Sequence, residues 1–181
     1  VHMAKEAGAA IPLLDEVIEI NQKQELKLVD KALKRFKSLR DKKVALLGLS
    51  FKPNTDDVRG SASIKVAKRL VREGAKVMAY DPVAVQSAKE VLGDEISYAE
   101  TVDQALLNAD LALIVTEWDE IKNIPLSIFH ELMTDPVIFD GRNCYQLEAM
   151  ERYPVEYQSI GRPLVIGQRY AMENKSQPTK R

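Results

Sequence analysis

The segments Lys43-Val44-Ala45-Leu46-Leu47-Gly48-Leu49, Ser50-Phe51-Lys52-Pro53-Asn54-Thr55-Asp56-Asp57-Val58-Arg59-Gly60 and Lys76-Val77-Met78-Ala79-Tyr80 decide the fold. Two short apolar runs rich in β-branched residues are separated by a polar loop and an amphipathic stretch over 61–73. This is the pattern of a βαβ unit, in which parallel strands are joined by a helix. The alternation continues downstream. Further strands are predicted over 96–98, 111–115 and 136–139, with a sixth over 157–160, and helices over 83–92, 102–108 and 125–133. The expected fold is α/β, a Rossmann-like doubly wound parallel sheet whose ligands sit at the carboxyl ends of the strands.

Upstream, residues 11–40 contain no Gly and only Pro12, while Leu14, Val17, Ile18, Leu26, Val29, Leu33 and Phe36 recur at three- and four-residue steps. One long helix, on the order of 45 Å, is predicted to precede the sheet. That is longer than a domain of this size requires, so the helix is expected to project or to reach another domain or subunit. Its polar middle, 19–25, marks a change of neighbours. The domain plan is then a flexible tail or cloning remnant over 1–10, a linking helix over 11–40, the sheet domain over 41–167 and a flexible tail over 168–181.

Composition narrows the function. The 181 residues include 26 Lys and Arg against 27 Asp and Glu, a formal charge of -1, which supplies no global field for nucleic acid or anionic membrane. A single Cys, Cys144, cannot build a disulfide framework or a multi-cysteine zinc site, and two His do not suggest a metal cluster. No apolar run approaches the roughly 20 residues of a membrane span. A cytoplasmic, metal-free protein is expected.

The loop over 50–60 is longer than the usual connection of about 2 to 6 residues, which marks it as functional. A dinucleotide fingerprint requires Gly at 48, 50 and 53, and the chain has Gly48, Ser50 and Pro53. Ser50 adds a side chain where a pyrophosphate needs bare backbone, and Pro53 removes an N–H donor, so NAD is not expected at this turn. Asp81, where a ribose-binding acid would fall, is read as part of an Asp-Pro turn. Lys52, Arg59 and Arg142 are all placed at the carboxyl edge. They either converge on a diphosphate or pair with Asp56, Asp57 and Asp140. Trp118 is read as core, His130 as surface and Cys144 as a partly buried residue rather than a nucleophile.

The run from Leu47 to Ser61, followed in order by Tyr80-Asp81-Pro82, Thr116-Glu117-Trp118 and Asp140-Gly141-Arg142-Asn143, resembles the C-terminal domain of nucleotide-sugar dehydrogenases of the UDP-glucose/GDP-mannose dehydrogenase family. The similarity extends over about residues 4 to 165, and 11–40 is similar to the family's linking and dimer-forming helix. The resemblance implies an NAD-dependent oxidation of UDP-glucose to UDP-glucuronate. The chain would contribute the UDP-sugar-binding C-terminal half, without the NAD-binding glycines or the catalytic Cys, and so be inactive alone. It implies that Phe51, Lys52 and Arg142 contact the UDP-sugar and that Arg59 reaches toward the cofactor. Gly60 departs from the acidic residue frequent at that position. Sister enzymes acting on UDP-N-acetylhexosamines or GDP-mannose share these motifs. A non-catalytic module dimerising through 11–40 is the rival from another class, and convergence of Lys52 and Arg142 on one pocket would argue against it.

Overall fold

The computed structural model describes residues 12–167. It opens with helix α1, Pro12–Phe36. The helix stops four residues short of the predicted end because Lys37 adopts φ +65°, the left-handed conformation that terminates a helix, while its N–H still bonds Leu33 O. The sheet domain follows in the order β1 Lys43–Leu47, α2 Ala62–Arg72, β2 Lys76–Tyr80, α3 Val85–Leu92, β3 Ser97–Tyr98, α4 Val102–Leu106 and β4 Leu111–Ile114. Short helices α5 Asp119–Lys122 and α6 Leu126–Leu132 lead to β5 Val137–Asp140. Then come α7 Leu147–Met150, β6 Glu156–Ser159 and β7 Val165–Ile166.

The strands form one sheet in the order β3-β2-β1-β4-β5-β6-β7. All neighbours are parallel except β6 and β7, which run antiparallel, with Glu156 opposite Ile166 and Tyr157 opposite Val165. The order 3-2-1-4-5-6 is that of a doubly wound sheet, whose winding reverses between β1 and β4. Expectation and structure also differ elsewhere. Strand β1 ends at Leu47 rather than 49, since Gly48 turns to φ +92°. The helices α5 and α7, of four residues each, and strand β7 were not predicted. These elements are too short to carry a periodicity.

Alternation along β1 divides its side chains between two cores. Val44 and Leu46 join Leu113, Phe139, Val66 and Leu70 on the face covered by α1, α2 and α3. Ala45 and Leu47 join Ile114, Ile138, Phe129 and Tyr157 on the face covered by α4 and α6. Central strands buried on both faces read as continuous apolar runs, which is why 43–49 and 111–115 stand out in the sequence.

Helix α1 docks through its C-terminal half. Leu28, Val29 and Ala32 are buried, whereas Glu16 and Ile20 are exposed. The polar stretch 19–25 is thus where the helix leaves the core. Ion pairs tie it down, among them Arg35 Nε to Glu156 Oε2 at 2.7 Å and Lys65 Nζ to Glu25 Oε2 at 2.5 Å. Among the described residues no helix is long and apolar enough to cross a membrane.

Candidate functional site

The site is built on the loop after β1. Gly48 brings the end of β1 against β4: a Cβ there would lie 2.5 Å from Thr116 Cβ and 2.6 Å from Thr116 N. Only glycine combines that approach with φ +92°. Beyond it, the backbone of Leu49 and Ser50 is bonded from several sides. Asp81 Oδ2 accepts from Leu49 N at 2.7 Å, Ser50 N at 3.0 Å, Ser50 Oγ at 3.2 Å and Trp118 Nε1 at 3.0 Å. Its Oδ1 accepts from Val83 N and Ala84 N, which forms the Asp-Pro turn read from the sequence. Thr116 Oγ1 and Ser61 Oγ donate to Ser50 O, and Ser63 Oγ donates to Leu49 O. A buried carboxylate saturated with donors makes a rigid base for the loop.

An NAD pyrophosphate does not fit this turn. The Leu49 and Ser50 N–H groups, which would cradle it, are bonded to the Asp81 carboxylate, and Ser50 and Asp81 are buried. The domain carries its own anion where a dinucleotide-binding domain takes one from the ligand.

From this base the loop projects Phe51, a residue 53% exposed whose N–H is held by Asp57 O at 2.8 Å. Phe51 forms one wall of a cleft of about 350 Å³ at the carboxyl edge of the sheet. Arg142, after β5, and Val115, after β4, form another wall. Gln24, Glu25 and Leu28 of α1 close the cleft, with Ile160 beyond β6. Leu28 reaches this position by packing on Gly141, where a Cβ would lie 2.9 Å from Leu28 Cδ1.

Arg142 is gripped along one edge. Its backbone N–H donates to Asp140 Oδ1 at 2.7 Å, and its Nε donates to Val115 O at 2.6 Å. The same Nε lies 3.0 Å from Glu117 Oε2 without hydrogen-bond alignment. Neither Nη has a hydrogen-bond partner among the described residues, so the fork that suits phosphate oxygens stays available at the cleft. Asp140 anchors this corner, accepting also from Cys144 N at 2.7 Å and Tyr157 OH at 2.6 Å. Burial, then the charges of Asp140 and Glu117, push the Cys144 thiol up to about 12, which removes it as a nucleophile near neutrality. Burial also raises the Tyr157 phenol above its ordinary value.

The three predicted cations do not converge. Phe51 and Arg142 share the cleft, and Lys52 is exposed on the adjoining loop. Arg59 instead lines a separate depression with Asp57, Ser87, Glu90 and Val91. It is paired there with Asp57, Nε to Oδ1 at 2.9 Å and Nη2 to Oδ2 at 2.8 Å. Those side-chain bonds and the Arg59 N–H hold the Asp57 carboxyl down at about 2. Trp118 is buried, His130 is exposed, and no metal-ligating cluster occurs among the described residues. The sequence reading missed the α1 wall and Glu117. Its one usable signal was the polar break over 19–25, where the helix turns Gln24 and Glu25 into the cleft.

Residues 45–147 match the UDP-glucose/GDP-mannose dehydrogenase family, UDP binding domain. The chain is 49% identical over 154 residues to the UDP-glucose 6-dehydrogenase YwqF of Bacillus subtilis, covering 85% of this chain and 35% of that protein. It is 41% identical over 167 residues to UDP-glucose 6-dehydrogenase TuaD of the same organism, covering 92% of this chain and 36% of that protein. The chain thus spans about a third of the length of these curated relatives. Among solved structures, a UDP-glucose dehydrogenase from Pyrobaculum islandicum aligns with a TM-score of 0.69 at 32% identity, over 78% of this chain and 31% of that one.

Proposed function

Because the chain belongs to the UDP-glucose/GDP-mannose dehydrogenase family, we propose that its cleft binds the UDP moiety of UDP-glucose for NAD-dependent oxidation to UDP-glucuronate. Arg142 takes the diphosphate with its two Nη groups, Lys52 adds a point charge from the loop, and Phe51 packs on the nucleotide. The observation that carries this reading is the Arg142 guanidinium, held through Nε at the wall of the cleft, with neither Nη hydrogen-bonded among the described residues. NAD and the catalytic thiol are supplied by a part of the enzyme outside these 181 residues. Within the chain, 41–167 is the nucleotide-sugar domain and 11–40 the linking segment, whose helix α1 is the element through which two copies associate. Arg59 acts across the gap between domains on the cofactor side.

Calorimetric titration with UDP, and an absorbance assay with UDP-glucose and NAD, test this reading. UDP should bind to the 181-residue chain and no NADH should form. NADH production by the chain would overturn the division of labour, and absence of UDP binding would overturn the cleft assignment. Light scattering should return twice the monomer mass, and a monomer at high concentration would contradict association through the helix.

A further inference from the structure

The cleft is unevenly charged. Arg142 stands at the strand ends, and α1 brings a carboxylate, Glu25, into the same cavity. A site built only for a diphosphate gains nothing from a carboxylate on its wall, since like charges repel. Glu25 is not a solvated surface acid: its side chain is 23% exposed, and Lys65 of α2 holds Oε2 at 2.5 Å. Its Oε1 has no hydrogen-bond partner among the described residues. The pair with Lys65 offsets the repulsion and leaves one anionic oxygen as an acceptor.

A nucleoside diphosphate has the matching asymmetry, an anionic end and a ribose whose hydroxyls donate hydrogen bonds. In dinucleotide-binding sheets an acid at the end of the second strand receives those hydroxyls. Here that acid is Asp81, 3% exposed, with both oxygens committed to backbone and side-chain donors of its own domain. It is not available to a ligand. Glu25 is the carboxylate that lines the cleft. It shares a helix face with Leu28, which Gly141 lets approach next to Arg142.

We propose that Glu25, clasped by Lys65, receives the ribose hydroxyls of the bound nucleotide and makes the cleft selective for ribonucleotides over deoxyribonucleotides. The inference rests on the UDP reading of the cleft. The task of the strand-end acid, which Asp81 cannot perform while bonded within its own domain, passes to the helix, so the helix becomes part of the recognition surface.

The test is calorimetric titration of the 181-residue chain with UDP and with its 2′-deoxy and 3′-deoxy analogues. At least one analogue should bind about tenfold more weakly than UDP, the scale of a lost hydrogen bond to a charged group. Glu25→Ala should bring all three nucleotides within about twofold of one another. Lys65→Met, which removes the clasp and keeps the acceptor, should preserve the discrimination even if overall affinity moves. Equal binding of the three nucleotides by the unaltered chain would overturn the proposal, and that result does not depend on any variant folding. Identical behaviour of Glu25→Ala and Lys65→Met would also overturn it, reducing Glu25 to a helix clasp. Failure to bind any of the three would instead bring down the UDP reading itself.

Discussion

Arg142 and Arg59 sit at the same edge of the sheet and are held in opposite ways. Arg142 lines the cleft and is fixed by its backbone N–H and its Nε, with Glu117 close by, and neither Nη has a hydrogen-bond partner among the described residues. Arg59 has its Nε and Nη2 closed on Asp57, two residues away, on a side chain that is 90% exposed. A guanidinium gripped from behind can serve a ligand at little ordering cost, whereas one closed on a local acid must first give up that acid. Position at this edge therefore does not by itself make a cation part of the UDP cleft; the direction from which it is restrained does.

Asp81 braces the start of the loop that carries Phe51 and Arg59, so Asp81→Ala should have the largest effect. It strips the acceptor from buried N–H groups of Leu49 and Ser50 and from Trp118 Nε1. A stability loss of about 3–5 kcal/mol is expected in urea unfolding, followed by the fluorescence of Trp118, the one Trp in the chain. A loss below about 1 kcal/mol would mean that the loop stands without its internal anion.

Next in size, Arg142→Ala should weaken UDP binding by about 1.5 to 3 kcal/mol, roughly one to two decades. An unchanged UDP isotherm would erase the contrast between the two arginines.

Cys144 sharpens the Arg142 corner. With its thiol at about 12, only about one molecule in ten thousand is thiolate at pH 8, and alkylation by iodoacetamide should be far slower than for a free thiol. Cys144→Ser should leave UDP affinity nearly unchanged. Rapid labelling would show that the Asp140 corner is open to solvent.

The smallest effect is expected at the other arginine. Arg59→Ala should leave UDP affinity of the chain within about twofold, because an exposed pair contributes little. A tenfold loss would assign the Arg59–Asp57 pair to the shape of the UDP cleft. Its pH behaviour follows from the depressed Asp57 carboxyl. The pair's contribution is fully present above the ordinary value of 3.8 and fades as pH falls through about 2. Carboxyl NMR titration of Asp57 should find a midpoint near that lower value, and a midpoint near 3.8 would remove the pair.

These contrasts also mark how far the sequence could be read. The central strands were legible because burial on both faces writes continuous apolar runs, and the 50–60 loop because its length is unusual. Phe51 was named from motif resemblance and Arg142 first from its place at the carboxyl edge, and the fold sets both on one cleft. Arg59 was legible as a cation but not in its orientation, since Lys52 and Arg59 fall on one loop that faces two ways. The reach of Asp81 to Leu49, Ser50 and Trp118 spans up to 37 positions and exists only once β1, β2 and β4 are side by side. Glu25 was unreadable as a site residue for the same reason: within the helix it is one polar residue among several, and only docking on Gly141 selects it.

Of the three positions at which a dinucleotide loop needs glycine, this chain has glycine only at 48, the one that its own backbone demands. The motif thus separates into a part owed to architecture and a part owed to cargo. The first holds wherever β1 and β4 close on each other, whatever the domain carries; the second is written only where a pyrophosphate must land. Partial fingerprints of this kind are better read as signatures of a shared scaffold than as eroded binding sites. Grafting dinucleotide binding onto this domain would take more than restoring glycines at 50 and 53, because the Leu49 and Ser50 N–H groups would first have to be released from the Asp81 carboxylate.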